Sequence, residues 1–153
     1  MERERKKGER MDFGQANQAY RNTSIQTASQ ARLITLLFEG AIRFMGQFIS
    51  AVEKEDIQDA HNNSMKAQRI MTELILALDH EKGGEVSRTI EAAYENIRNR
   101  MVRANVRKDK ELAKEVIKDL EDFRETWIEV FKRVESGTVS PPPPQAGGVS
   151  ITT

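Results

Sequence analysis

From Ser29 to Lys54, apolar residues recur in a way that one helical stripe does not explain. At about 100° per residue, Leu33, Leu37 and Phe44 fall on one edge of an apolar arc. Ile34, Ala41, Phe48 and Val52 fall in its middle, and Phe38, Ile42 and Ile49 on the other edge. The polar strip opposite carries Thr35, Glu39, Arg43, Gln47 and Ser50, with Glu39 and Arg43 at helical-pair spacing. The arc covers about half of the circumference, whereas a bundle helix gives roughly 100–140° to its core. The surplus calls for a second covering. Ser29 is the expected N-cap of this helix, and Lys54 its approximate end.

Three narrower stripes follow. The second helix, capped by Asp56 and reaching about Leu78, shows Ile57, Ala60, Ser64, Ala67, Met71, Leu74, Ile75 and Leu78. The third, from about Val86 to Asn105, shows Val86, Ile90, Ala93, Ile97, Met101 and Ala104. The fourth, capped by Asp109 and ending near Glu135, shows Leu112, Val116, Leu120, Phe123, Trp127, Val130 and Val134. The clearest turn is Asp79 to Glu85, which holds Gly83 and Gly84. No alternating run is long enough for a strand. Helices of about 20 to 25 residues with short connections predict an all-α fold, an antiparallel up-and-down four-helix bundle. An N-terminal helical or extended cap segment precedes it.

Proline sharpens the boundaries. All four prolines stand at Pro141 to Pro144, in an uncharged tail that cannot bury enough surface to order itself. The expected organisation is a flexible charged leader over 1–14, a bundle over 15–135 and a disordered tail over 136–153. A polyproline run can dock on aromatic grooves, but a plain tail is the expected role.

Charge changes the picture little. Basic and acidic side chains number 24 each, for a net charge of zero. The first ten residues carry five basic and three acidic groups, so the rest sums to −2. This balance gives no general pull toward nucleic acid or anionic membranes. Arg98, Arg100, Arg103, Arg107 and Lys108 gather near the end of the third helix, where cations are favoured anyway. Cysteine is absent, which excludes disulfides and thiolate metal sites. The N-terminus has no apolar stretch of a signal peptide. No run approaches the roughly 18 apolar residues that span a bilayer, so a cytoplasmic chain without membrane insertion is expected.

Candidate chemistry is sparse. The two histidines, His61 and His80, follow Gln58 and Ala77 by three residues, so the Glu-x-x-His pairs of a di-iron bundle are missing. Gly83-Gly84-Glu85 lacks the strand and lysine of a phosphate-binding loop. No histidine and carboxylate set is placed in sequence to activate a serine or threonine. No enzyme, cofactor or metal is expected. Trp127 lies mid-stripe and reads as core; the methionines suit either an irregular core or an adaptable surface.

Several segments, in order, point to one family: "QAYRNTSIQTAS", "LITLLFEGAIRFMGQF", "KAQRIMTELILALD", "GGEVSRTIEAAYENI", "RANVRKDKELAKEV" and "FRETWIEV". Together the chain resembles the flagellin-specific export chaperones, FliS, over about Gln15 to Val130. It departs where the family commonly has proline and acidic residues after "TAS"; here Gln30 to Arg32 read "QAR". A tyrosine and acidic pair often found in mid-helix is Phe38 and Glu39 here, and neither the leader before Met11, itself a candidate start, nor the tail after Ser136 is a family feature.

The resemblance implies a bundle that binds the disordered C-terminal segment of new flagellin in the cytoplasm. It would prevent early polymerisation and deliver the subunit to the type III export gate. An export-gate component and flagellar regulators are further candidate partners. The family also implies an N-terminal segment that lies over part of the groove, for which Phe13, Tyr20 and Ile25 are the apolar candidates. The expected binding groove is formed by Phe38, Ile42, Met45 and Ile49 of the first helix, Ile70 and Leu76 of the second, and Ile117 and Ile128 of the fourth. Such a groove takes an amphipathic segment that folds as it binds. The alternative is a dimerisation or regulatory module without a flagellin partner, its apolar arc forming a homodimer interface.

Overall fold

The computed structural model describes residues 15–137, with side chains from residue 29 onward. Four helices follow in order: α1 (Gln15–Glu53), α2 (Ile57–Leu76), α3 (His80–Arg107) and α4 (Lys110–Glu135). Among the described residues there is no strand. Each helix packs on its chain neighbours, and α1 closes the ring against α4. With connections this short, neighbours run antiparallel, and the fold is the expected up-and-down bundle. The leader, and the tail from residue 138 on, lie outside the described residues, as does Phe13.

The helix ends follow from local chemistry. Asp56, Asp79 and Asp109 each turn a carboxylate back onto first-turn amides: Asp59 N, Glu81 and Lys82 N, and Leu112 N, all at 3.0–3.1 Å. Each satisfies donors that a helix start leaves unpaired. Glu55 and Lys108 take positive φ, 60° and 52°, to close α1 and α3. Lys108 fastens its turn with an Nζ bond to the Asn105 carbonyl at 2.7 Å.

One boundary differs from expectation. Ser29 is not an N-cap, because α1 runs on unbroken from Gln15 for 39 residues. Nothing between Gln15 and Gln30 forbids helix: proline and glycine are both absent there. The third helix opens with a short turn from His80 and is broken by a kink at Gly84, so its long run starts close to the expected Val86. Gly84 sits at φ 54°, ψ −129°, which only glycine adopts without strain. Open space surrounds it, so a methyl group would meet no neighbour. Gly84→Ala is therefore expected to lose about 1–3 kcal/mol through backbone strain alone. Urea denaturation checks this, as a lower midpoint at unchanged slope.

The core fills the bundle axis with Ile34, Phe38, Ala41, Met45 and Phe48 of α1, met by Met71 and Leu74 of α2, Tyr94, Ile97 and Met101 of α3, and Val116 and Leu120 of α4. Ala60, Ser64 and Ala67 keep the α2 side thin, so helices approach closely. One aromatic layer ties three helices. Phe38 and Phe123 stack with centroids 6.0 Å apart, and Tyr94 meets both edge-on. Trp127, in the core as its stripe requires, donates its Nε1–H to the Tyr94 oxygen at 2.9 Å. Burial pushes the Tyr94 phenol well up from its ordinary range, so it stays a neutral partner.

The stretch Ser29–Glu53 departs from one expectation: it is long and apolar enough to cross a membrane by length and composition. Its most apolar face, Phe38 through Phe48, is used by the bundle core.

Candidate functional site

Two helical rows face each other along the α1–α4 seam. On α1, Thr35, Glu39, Ile42, Gly46, Ile49 and Glu53 recur at three- and four-residue steps. On α4, Lys110, Ile117, Arg124 and Ile128 do the same at one- and two-turn intervals. Cross-helix ion pairs set the register. Arg124 grips Glu39 Oε2 with Nη2 and Nε at 2.9 and 3.1 Å, and Lys110 Nζ lies 3.8 Å from Glu53 Oε2. Both pairs are partly solvated, so each contributes at most about 1 kcal/mol. Their importance is geometric, because they frame what lies between them.

Between the pairs the seam is apolar and open. Ile42, Ile49 and Ile117 are half-buried there. Gly46 is exposed, and a Cβ built on it meets nothing within 4 Å. A glycine inside a helix costs about 1 kcal/mol relative to alanine. Here it leaves a gap where a side chain would have covered the seam. Beyond the Glu39–Arg124 pair, toward the end of α4, a cavity of about 380 Å³ continues the same groove. Ala31, Leu36, Ile128 and Phe131 give it apolar walls, while Thr35 and the charged Arg32, Glu39, Lys132 and Glu135 make its polar rim. The groove thus offers apolar contact with mixed polar edges, as an amphipathic helix requires.

The eight groove residues expected from sequence separate in the structure. Ile42, Ile49, Ile117 and Ile128 fall in this seam, half-buried. Phe38 and Met45 do not: both are at 0% exposure in the core. The core-facing row of the α1 arc lies one row nearer its outer edge than its sequence pattern suggests, since α2 and α4, not the arc itself, decide which row points to the axis. Ile70 belongs to the α1–α2 seam, where its Cδ1 is 3.2 Å from the place a Gly40 Cβ would take. Leu76 stands at the end of α2, 66% exposed and away from the seam. Tyr20 and Ile25 ride on the N-terminal part of α1, and their side chains lie outside the described residues.

The sequence pattern does not show the Glu39–Arg124 pair or the gap at Gly46. Glu39 spacing pointed to Arg43, yet Glu39 pairs with Arg124, and Arg43 lies over the Phe44 ring at 4.9 Å. Arg124 carried no local signal. Gly46 did carry one, as a helix-interior glycine with no turn nearby.

The structure also assembles a serine, histidine and carboxylate that the sequence did not reveal. His80 Nδ1 is 2.8 Å from Ser87 Oγ, and His80 Nε2 is 3.4 Å from Glu91 Oε1. Ser87 is fully buried, and its hydroxyl donates to the Gly84 carbonyl at 3.0 Å. The Ser87 hydroxyl thus joins the His80 imidazole to the Gly84 carbonyl. The trio fastens the Gly84 kink. Among the described residues no group of three histidine or carboxylate side chains is disposed to hold a metal ion.

Comparison with known proteins adds an independent line. A family described as "Flagellar protein FliS" matches residues 13–134. A "Flagellar secretion chaperone FliS" of Bacillus subtilis (strain 168) is 32% identical over 114 residues, covering 74% of this chain and 84% of that protein. The protein of the same name from Campylobacter jejuni is 32% identical over 115 residues, 75% of this chain and 90% of its own. The one from Salmonella typhimurium is 30% identical over 109 residues, covering 71% and 81%.

Proposed function

The chain belongs to the FliS family of flagellar secretion chaperones, and from that premise we propose that it binds the C-terminal segment of flagellin along the α1–α4 seam. By covering that segment in the cytoplasm it prevents premature polymerisation and supports export of the subunit for filament assembly. The observation that carries this reading is the open apolar run Ile42–Gly46–Ile49 opposite Ile117, framed by Glu39–Arg124 and Glu53–Lys110. A polymerising subunit needs its assembly segment hidden and later released. A segment that orders only on binding offsets part of its contact energy with ordering entropy, so it can wrap a large surface and still dissociate.

Binding of this kind requires no cofactor and no covalent step. Co-purification of the full chain with flagellin, and with flagellin cut short at its C-terminus, tests the reading. Full-length flagellin is expected to be retained and the truncated form lost. Equal recovery of both would overturn it, and so would a self-associated chain indifferent to flagellin.

A further inference from the structure

The opposite side of the bundle has a second seam, between α2 and α3, that the α1–α4 reading does not use. Two polar cross-helix bonds fix its register: Asn105 Nδ2 to His61 Nδ1 at 3.0 Å, and Arg98 Nη1 to Thr72 Oγ1 at 3.0 Å. One turn in from these pins stand Met65 on α2 and Val102 on α3; Val106 follows one turn beyond Val102, and Leu76 one turn beyond Thr72. All four are exposed: Met65 40%, Leu76 66%, Val102 41% and Val106 78%. Apolar side chains scattered singly need no explanation, but these follow one seam. From His61 to Leu76 the seam runs about 22 Å, the length of a helix of about 15 residues.

Glu95 at this seam is already paired with Arg98, and exposed arginines flank the apolar strip. Arg69 on α2 and Arg103 on α3 are exposed, and neither has a carboxylate at ion-pair distance among the described residues. On α3, Arg98 and Arg100 are already paired, with Glu95 and Asp119. Unpaired cations beside an apolar strip match an apolar helix face edged with carboxylates, and they repel one edged with lysines.

We propose that the α2–α3 seam is a second docking surface, separate from the flagellin groove, for an amphipathic helix with acidic edges on a partner protein. The apolar side of that helix lies over Met65, Val102 and Val106, and its carboxylates meet Arg69 and Arg103.

The test uses two labelled synthetic helices of about 15 residues with the same leucine face, one edged with glutamate and one with lysine, titrated by fluorescence anisotropy against the full chain. The glutamate-edged helix is expected to bind at least about 10-fold tighter than its lysine-edged counterpart, with the difference shrinking as salt rises. The double variant Val102→Gln, Val106→Gln is expected to weaken it at least about 10-fold while leaving flagellin co-purification intact. Both valines are exposed, so the circular dichroism melt stays close to that of the parent. Equal binding of the two helices overturns the proposal, as does undiminished binding by the double variant. So does loss of flagellin by that variant, which would assign the seam to flagellin. A concentration-dependent dimer abolished by the same substitutions also overturns it, assigning the seam to a second copy of this chain.

Discussion

Phe38→Ala is expected to destabilise the bundle by about 3–5 kcal/mol, against the roughly 5–15 kcal/mol that holds a domain of this kind together. The reason is the side chain's position. Phe38 has no exposed surface, stacks on Phe123 of α4 and meets Tyr94 of α3 edge-on. Truncation removes one ring from a layer that ties three helices and leaves a cavity whose walls are rings of fixed shape. Tyr94 cannot simply move in, because its hydroxyl holds the Trp127 indole N–H, and leaving that donor unpaired in the core has its own cost. Denaturant unfolding followed by the fluorescence of Trp127, the chain's single tryptophan, measures the loss in the layer concerned. A change below about 1 kcal/mol would show that Phe38 is a surface residue in solution, as the sequence pattern implied.

The opposite behaviour is expected at the seam. Ile42→Asp together with Ile49→Asp should reduce affinity for the flagellin C-terminal segment at least about 100-fold, while the chain stays helical. Each isoleucine is half-buried in the free protein, so its remaining apolar surface is what a docked helix would cover. Burying a large aliphatic side chain is worth about 1.5–3 kcal/mol, and a carboxylate at the same place must be desolvated instead. Some stability is lost as well, since the inner edges of both side chains touch the core. Gly46→Leu separates the two effects. It removes no core contact, fills open space and improves helix propensity, so stability holds or rises while the gap in the seam closes. Isothermal titration with a flagellin C-terminal peptide measures all three variants. Full affinity in folded Gly46→Leu and in the folded double variant would remove the α1–α4 seam from consideration as the flagellin site.

These two expectations concern residues that the sequence placed on the same face of α1. Several local features follow from the sequence because their cause is local. Asp56 and Asp109 cap their helices because a short carboxylate reaches amides three residues on, which needs no tertiary partner. Gly84 marks the turn because its backbone conformation is closed to other residues. The narrow stripe of α4 gave Val116, Leu120 and Trp127 as core, and they are. Ser29 is a capping residue type but no helix start, because nothing stops the helix before it.

The sequence by itself determined the number of helices, most of their ends, the short connections that force an antiparallel ring, and the presence of surplus apolar surface on α1. Family segments spread along its length determined what kind of protein it resembles. Only the tertiary structure decided where the surplus lies. An apolar arc covering half of a helix has no intrinsic inward direction. Its phase is set when α2 and α4 settle on either side, which turned Phe38 and Met45 to the axis and left Ile42 and Ile49 at the seam. The same holds for Glu39 with Arg124, 85 residues apart, and for Tyr94 with Trp127, 33 apart. Pairings of that range depend on register between helices, and register is a property of the packed bundle that no single helix carries.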